Sequence, residues 1–406
     1  MLPRFFASKP EKDCYLFLDF ASTNLKLVLV AADYNSAFQH PVFAHKTINH
    51  SLTFQQILEG EFDSLKQDLT KALSEIYNKT PFHVRSCIGG LDDIFFESTF
   101  NTSVYKLDPN FQIDMGSLQN ILSKAQHQTR QSVLNKAKKR FKDIQIKLLQ
   151  SDLVEIRIDN KTVTNPLGLS GSSMTVLFYN SFCQAKLFES ISHLTDYIGF
   201  KLDTFILRPA AQASISQVQK QVIIEISHSR ASISVAHNGI LQKTASLDYS
   251  TNSLIEVFQE RFNMDPTEAM HALLAYCQDD FVREYRDMRK AVLISTGNLI
   301  DQIKQTLIEF RIYDFKNTQI KLLGGGACLP EITELLEDHY QIHGQIHPIS
   351  IKDFQFICDP ILQISDPGFI SSLAYANKFL QHKNQTADTS AAKANIDKIL
   401  RVTNAA

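Results

Sequence analysis

Residues 15–30, YLFLDFASTNLKLVLV, decide the fold. An apolar run from Tyr15 to Leu18 ends on Asp19, a polar turn follows to Asn24, and Leu25 to Val30 resume an apolar run broken only by Lys26. This pattern predicts two strands joined by a short turn. The layout returns 206 positions later, counting from Asp19 to Glu225, in VIIEISHSRASISVA at residues 222–236. There Val222, Ile223 and Ile224 lead to Glu225, the turn runs from Ser227 to Arg230, and Ile233 to Ala236 resume the strand. Two hairpins, each with a carboxylate at the end of its first strand, predict a duplicated domain.

Apolar residues at helical spacing predict helices over 54–77, 182–198 and 288–310, and mixed strands and helices imply an α/β architecture. Between the hairpins lies a stretch of different character. It has a strand around Val84 to Ile88, strands from Ile94 to Leu107, a long helix from Gly116 to Phe141 and further strands to Tyr179. These read as a compact α+β module set into the first half. Its helix offers a stripe of Leu118, Leu122, Ala125, Val133, Ala137 and Phe141 for burial. Lys124, Arg130, Lys136, Lys138, Lys139 and Arg140 stand on the other side, as a solvated face or a partner-binding patch.

With 406 residues, 44% hydrophobic and 21% charged, the chain is long enough for two core-bearing domains and too apolar for a disordered protein. A formal charge of -2 gives no basic field for displacing counterions from nucleic acid. Cys14, Cys87, Cys183, Cys277, Cys328 and Cys358 are far apart in sequence, without the two-residue spacing of a zinc or redox site, and read as reduced thiols of a cytoplasmic protein. Met1 to Lys12 is too short an apolar run for a secretory signal, and no stretch approaches the roughly 20 apolar residues of a membrane span. Any membrane contact is therefore expected to be peripheral or through a partner. Residues 382–392 read as a linker, and Ile396, Ile399 and Leu400, beside Lys393, Lys398 and Arg401, form a candidate short amphipathic anchor.

A phosphate-binding hairpin needs small residues, so that backbone N–H groups reach phosphate oxygens, and a carboxylate to hold hydrated magnesium. Asp19, Ala21, Ser22, Thr23 and Lys26 satisfy that chemistry, although many strand turns carry an Asp. The run Gly324, Gly325, Gly326 follows the strand residues Ile320 to Leu323 and precedes a helix opening near Pro330. Glycine there allows a tight turn and lets a flat ligand lie against the backbone; the same run also serves a turn alone.

Together with NPLGLSG at residues 165–171, these features reach a recognisable order. The chain resembles the FtsA family of bacterial cell-division proteins, in the actin and Hsp70 ATPase superfamily. LDFASTNLKLVLV is similar to that family's first phosphate loop, EISHSRASISVAHNG to its second, LLGGGACLP to its adenosine motif, and DPGFISSLAYA to its C-terminal helix. The resemblance implies an actin-like (ribonuclease H-like) duplicated two-lobe α/β fold with an inserted 1C subdomain of the SHS2 type. It divides the chain into subdomain 1A (13–83 and 182–216), 1C (84–181), 2A (217–244 and 288–365), 2B (245–287), a helix returning to 1A (366–381) and a tail (382–406).

The resemblance further implies ATP and magnesium as ligands. Asp19 and Glu225 would hold the metal through water, with Glu225 as the catalytic carboxylate. Asp19, Ala21, Ser22, Thr23, Lys26, Ser227, Arg230, Glu268, Gly324, Gly325 and Gly326 would contact the nucleotide. Implied partners are the C-terminal tail of the tubulin-like division protein FtsZ, other divisome proteins through the inserted module, and further copies of the chain. The implied place is the cytoplasmic face of the membrane at the division septum.

Departures from the family pattern concentrate in the loops. Ala21, Ser227 and His228 stand at glycine positions, Glu225 at an aspartate, Arg230 at a threonine, Leu273 at a lysine and Ala374 at a glycine. A longer carboxylate displaces a metal-bound water by about one methylene, and a misplacement of about 1 Å costs on the order of a hundredfold in rate. The expectation is a binding and assembly protein and at most a slow ATPase. A pilus assembly protein of the PilM kind shares the fold and the insertion and is the alternative; an active kinase or ATPase of the superfold is a third reading.

Overall fold

The computed structural model describes residues 12–32, 39–141, 145–277, 286–315, 317–342, 346–359, 364 and 366–388. The first half runs β1 (Lys12–Phe20), β2 (Asn24–Ala31), β3 (His40–Asn49), α1 (Phe54–Glu59), α2 (Asp63–Lys79), β4 (Phe82–Leu91), β5 (Glu97–Lys106), α3 (Met115–Phe141), β6 (Ile146–Ile158), β7 (Lys161–Val163), β8 (Ser173–Gln184), α4 (Ala185–Tyr197) and β9 (Leu202–Leu207). The second runs α5 (Arg208–Ala213), β10 (Gln221–Ile226), β11 (Ala231–His237), β12 (Ile240–Leu247), α6 (Thr251–Phe262), α7 (Pro266–Cys277), α8 (Arg286–Glu309), β13 (Gln319–Leu323), α9 (Pro330–Tyr340), β14 (Ile346–Pro348), β15 (Ile357–Cys358) and α10 (Pro367–Asp388). Contacts divide the chain into one unit of residues 1–27, 46–207 and 379–406 and another of 28–45 and 208–378.

The duplication is visible in the sheets. The first has the order β15-β3-β2-β1-β4-β9 and the second β12-β11-β10-β13-β14, so five strands correspond one to one. In both, the first strand of the hairpin pairs in parallel with the strand that follows the helices, β1 with β4 and β10 with β13. Cys14 to Phe20 of β1 and all six residues of β10 are buried, the continuous apolar pattern of a strand covered on both faces. Asp19 and Glu225 are buried with their strands. The core of the second unit gathers Val222, Ile224, Ile233, Phe258, Leu299 and Leu322.

The inserted module is a four-stranded antiparallel sheet in the order β5-β8-β6-β7 with α3 against it. Leu118, Leu122 and Ala125 of α3 pack with Ile156, Met174, Val176 and Phe178. Val133 is also buried, while the side chains of Ala137 and Phe141, like those of Lys136 to Arg140, lie outside the described residues. NPLGLSG is the clasp of this module. Gly168 N–H donates to Ile113 O, Ile113 N–H returns a bond to Leu169 O, and Leu167 N–H donates to Asn165 Oδ1. A Cβ at Gly171 would lie 2.3 Å from Ile158 Cγ2, so only glycine fits there.

Several predicted boundaries shift. Val84 to Ile88 does not open the module: β4 continues through Gly89 and Gly90 to Leu91 and belongs to the first sheet, in register with β1. Gly89 carries it on, because a Cβ there would lie 2.5 Å from the Phe205 ring of neighbouring β9. The module therefore begins after Leu91 and ends with β8 at Gln184, not at 181. The helix predicted over 54–77 is two helices, broken where Gly60 takes φ 75°. At the other end, α10 runs to Asp388, into the stretch read as linker, and the candidate amphipathic anchor lies outside the described residues. Asp366 caps α10 through Gly368 N–H, and Pro367 fills its first position, where no N–H donor is missed. Phe379, near its end, packs edge-on against Tyr15 at 5.0 Å and Phe17 at 5.8 Å.

Leu122→Ala empties a fully buried position and is expected to cost about 2 to 5 kcal/mol. Amide exchange should accelerate across 97–184 and stay slow in β10 and β13. Equal acceleration in β10 and β13 would contradict a separate core for the module.

Candidate functional site

In the first hairpin, Asp19 is 1% exposed and the turn closes through Ala21 N–H to Asn24 O at 2.9 Å. Ser22 and Thr23 occupy the turn, and Lys26 is half-buried on the returning strand. Thr23 O accepts the N–H of His50 at 2.9 Å. The His50 ring is pushed below its ordinary pKa by burial, which outweighs its bond to the Ala21 backbone. Asp92 N–H donates to Phe20 O, bringing a second buried carboxyl group to the same end of β1 and β4. The predicted phosphate-loop residues thus share one hairpin, with His50 and Asp92 bonded to its backbone.

The second hairpin closes in the same way, by Ser227 N–H to Arg230 O at 3.1 Å, 206 positions after the equivalent bond from Ala21 to Asn24. Its surroundings differ. Ser227 Oγ also donates to Arg230 O at 2.7 Å. The carbonyls of Ser227 and His228 accept the N–H groups of Thr251 and Asn252 at 3.0 and 3.2 Å. These are first-turn donors of α6, which have no partner within their own helix. The second turn is therefore built into the start of α6.

Glu225 is 3% exposed and both its oxygens are engaged. Gln212 Nε2 donates to Oε2 at 2.6 Å, and Arg208 Nη1 stands 3.5 Å from Oε1. Arg208 Nε donates in turn to Tyr375 Oη at 3.2 Å. Arg208, Gln212 and Tyr375 are themselves buried. Sequence reasoning singled out none of the three. The available signal was Arg208 and Gln212 four positions apart in the apolar stretch FILRPAAQASI, which places them on one face of a short helix.

The three glycines divide by role. Gly324 has φ 82°, and a Cβ there would lie 2.4 Å from Ile226 O; at Gly326 it would lie 2.3 Å from Ile226 Cγ2. Both are demanded by the packing of the 3-10 turn Gly325–Cys328 on the end of β10. Gly325 is exposed, with no heavy atom within 4 Å of a built Cβ, and offers open backbone. Glu225, Ser227, Arg230 and the glycine run thus meet at one end of β10 and β13, where Glu225 is in register with Leu323. Glu268 is exposed and engaged in a capping box, accepting Asp265 N–H while Asp265 accepts Glu268 N–H. Leu273 is buried in the core of this unit, and Ala374 is buried in α10.

In the first unit, the turn's backbone donors with Ser22, Thr23 and Lys26 have the chemistry to meet phosphate oxygens; in the second, Gly325 offers open backbone on which a flat ring could lie. The second turn fits metal-assisted hydrolysis poorly: its carbonyls and its carboxylate already have partners. Among the described residues, no group of three or more His, Cys, Asp or Glu is arranged to hold a metal by itself, and no helix is long and apolar enough to cross a membrane.

No described protein family matches the sequence, and no curated protein is similar to it. Solved structures are. The PilM-PilN type IV pilus biogenesis complex matches with 15% identity and a TM-score of 0.60, covering 89% of this chain and 97% of that one. Ethanolamine utilization protein EutJ from Carboxydothermus hydrogenoformans matches with 12% identity and a TM-score of 0.50, covering 91% and 90%. MreB5 of Spiroplasma citri bound to ADP covers 94% of this chain and 100% of its own at 12% identity and a TM-score of 0.43. The chain has the actin-like ATPase fold, and at these identities the likeness establishes the fold alone.

Two substitutions test the packing. Gly324→Ala should destabilise by about 1 to 3 kcal/mol through backbone strain, whereas Gly325→Ala should leave the melting temperature nearly unchanged. Equal melting temperatures would show that the run is not packed on Ile226. Glu225→Ala, which takes a carboxylate away from a buried guanidinium, should cost about 3 to 5 kcal/mol in denaturant unfolding; a loss under about 1 kcal/mol would contradict the pairing.

Proposed function

We propose that this chain is an assembly protein that works by holding partner proteins, with nucleotide as a structural ligand that is turned over slowly. The observation that carries the reading is the engagement of both Glu225 oxygens by Arg208 and Gln212. A carboxylate at this position of an ATPase must orient a magnesium-bound water. Here it neutralises a buried guanidinium instead. In this reading Asp19, Ala21, Ser22, Thr23 and Lys26 serve the phosphates and magnesium, Ser227 and Arg230 add polar contacts, and Gly325 offers its backbone to adenosine. Glu268 serves as a cap. Magnesium, when bound, neutralises phosphate charge.

The finer reading is an FtsA-like division scaffold. It rests on NPLGLSG, on the DPGF start of α10 and on the inserted module, whose SHS2-type reading belongs to the same proposal. Its partners are then the FtsZ tail, other divisome proteins and further copies of the chain, at the cytoplasmic face of the membrane. One observation favours a second reading: a PilM-PilN complex stands among the similar structures, which suits a PilM-like protein that captures a short tail of a membrane protein.

Millimolar ATP with magnesium should raise the melting temperature, while steady-state turnover stays far below the enzyme median of about 10 per second. Turnover near that median would overturn the structural-ligand reading. In a pull-down, the immobilised C-terminal peptide of FtsZ from the same organism should retain the protein. Retention only by the cytoplasmic tail of a pilus membrane protein would move the second reading ahead, and retention by neither would remove the support for partner capture.

A further inference from the structure

β5 is an edge strand of the inserted sheet, paired with β8 in unbroken register over all its residues, Glu97–Lys106. The bond from Leu107 N–H to Ser172 O, one step beyond the pair of Lys106 and Ser173, shows which groups that ladder uses. In an antiparallel pair, residues directly opposite exchange either both bonds or neither, and the two kinds alternate. Odd-numbered residues therefore bond to β8, and Ser98, Phe100, Thr102, Val104 and Lys106 turn their N–H and C=O outward. Among the described residues no other strand or backbone group pairs with the outward groups from Phe100 to Lys106; Phe100 O takes a 3.5 Å bond from the Thr99 hydroxyl.

Side chains divide by the same parity. Asn101 and Tyr105 reach Ser132 and Gln128 of α3, so the even-numbered residues lie on the face away from that helix. On that face Thr102 is exposed and Val104 is 67% exposed, while the Phe100 ring lies 5.0 Å from that of Tyr179. Residues 98–105 contain neither a charge nor a proline, which are the usual devices for blunting a long edge. Glu97 and Lys106 set opposite charges at the two ends of the strand.

We propose that β5 is a self-association surface, to which a second copy of the chain adds its own β5, antiparallel, about a two-fold axis through Thr102. Thr102 then faces Thr102 of the other copy, Val104 faces Phe100, and Lys106 faces Ser98. All are even-numbered, so outward groups meet outward groups, and about six backbone hydrogen bonds form between Phe100 and Val104. A shift of one residue would instead oppose outward groups with groups already bonded to β8. The exposed Val104 side chain gains an aromatic cross-strand neighbour. Antiparallel addition also brings the Lys106 end beside the Glu97 end, whereas parallel addition would set Lys106 beside Lys106. This self-complementarity in register, side chain and charge is what selects a second copy as the occupant. As the means of assembly the contact rests on the reading above; its existence does not, and its test uses neither nucleotide nor another protein.

Sedimentation of the full chain from about 1 to 500 μM, the span in which small transient interfaces populate, should show a monomer passing to a dimer. Thr102→Pro removes an outward N–H and leaves the β8 ladder intact, so it should weaken the dimer at least about tenfold. Val104→Lys, which sets a charge against Phe100, should weaken it as well, with circular dichroism showing both variants folded. Under mild oxidation Thr102→Cys should give a covalent dimer, because directly opposed Cα atoms lie about 5.5 Å apart, within reach of a disulfide. Val104→Cys should not, because the two copies of that position stand four residues apart along the strands, about 13 Å. Peptide mass spectrometry should place the link at the introduced thiols. A monomer throughout the range, a dimer that folded Thr102→Pro and Val104→Lys leave intact, or equal cross-linking at positions 102 and 104 would overturn the proposal.

Discussion

A carboxylate inside a strand that is buried along its whole length constrains the second half of this molecule. β10 lies between β11 and β13 with all six residues out of solvent, and Glu225 is one of them. An isolated ionised carboxylate in such a place is too costly to persist, so partners must be built around it. α5 supplies two, Arg208 and Gln212, and α10 supplies Tyr375 to hold the guanidinium in turn. Asn377, two residues after Tyr375, fastens α10 further, accepting Phe356 N–H and donating to Ser214 O. Three segments distant in sequence are thereby tied to one charge.

That arrangement changes what the second hairpin does. The turn keeps the closing hydrogen bond of the first hairpin, but its carbonyls anchor α6, and the glycines beside it are shaped to Ile226. The turn thus serves packing, while Gly325 beside it is left with open backbone. In the proposed reading, the contrast between the two hairpins is what separates binding from turnover.

Much of this was legible in the sequence, for local reasons. A carboxylate closing an apolar run is a short-range signal, and its recurrence 206 residues on pointed to the duplication, which the closing hydrogen bond of the two turns repeats. The limits of the inserted module were not legible, because Gly89 and Gly90 read as the end of a strand when they are its continuation past the Phe205 ring. Nor were the partners of Glu225. Gln212 and Arg208 lie 13 and 17 residues upstream of it, in a short helix whose polar pair makes no motif, and Tyr375 is farther still. Glycine identity alone also leaves open what the glycine is for: Gly324 and Gly326 answer to packing, Gly325 to open space.

A double-mutant cycle on Arg208 and Glu225, read as unfolding free energy with methionine at each position, tests the central claim most directly. The two changes should be strongly non-additive, with a coupling above about 1 kcal/mol and the double variant more stable than the sum of the singles implies. Additivity within about 0.5 kcal/mol would mean that the two charges do not stabilise each other, and that Glu225 is free for another task.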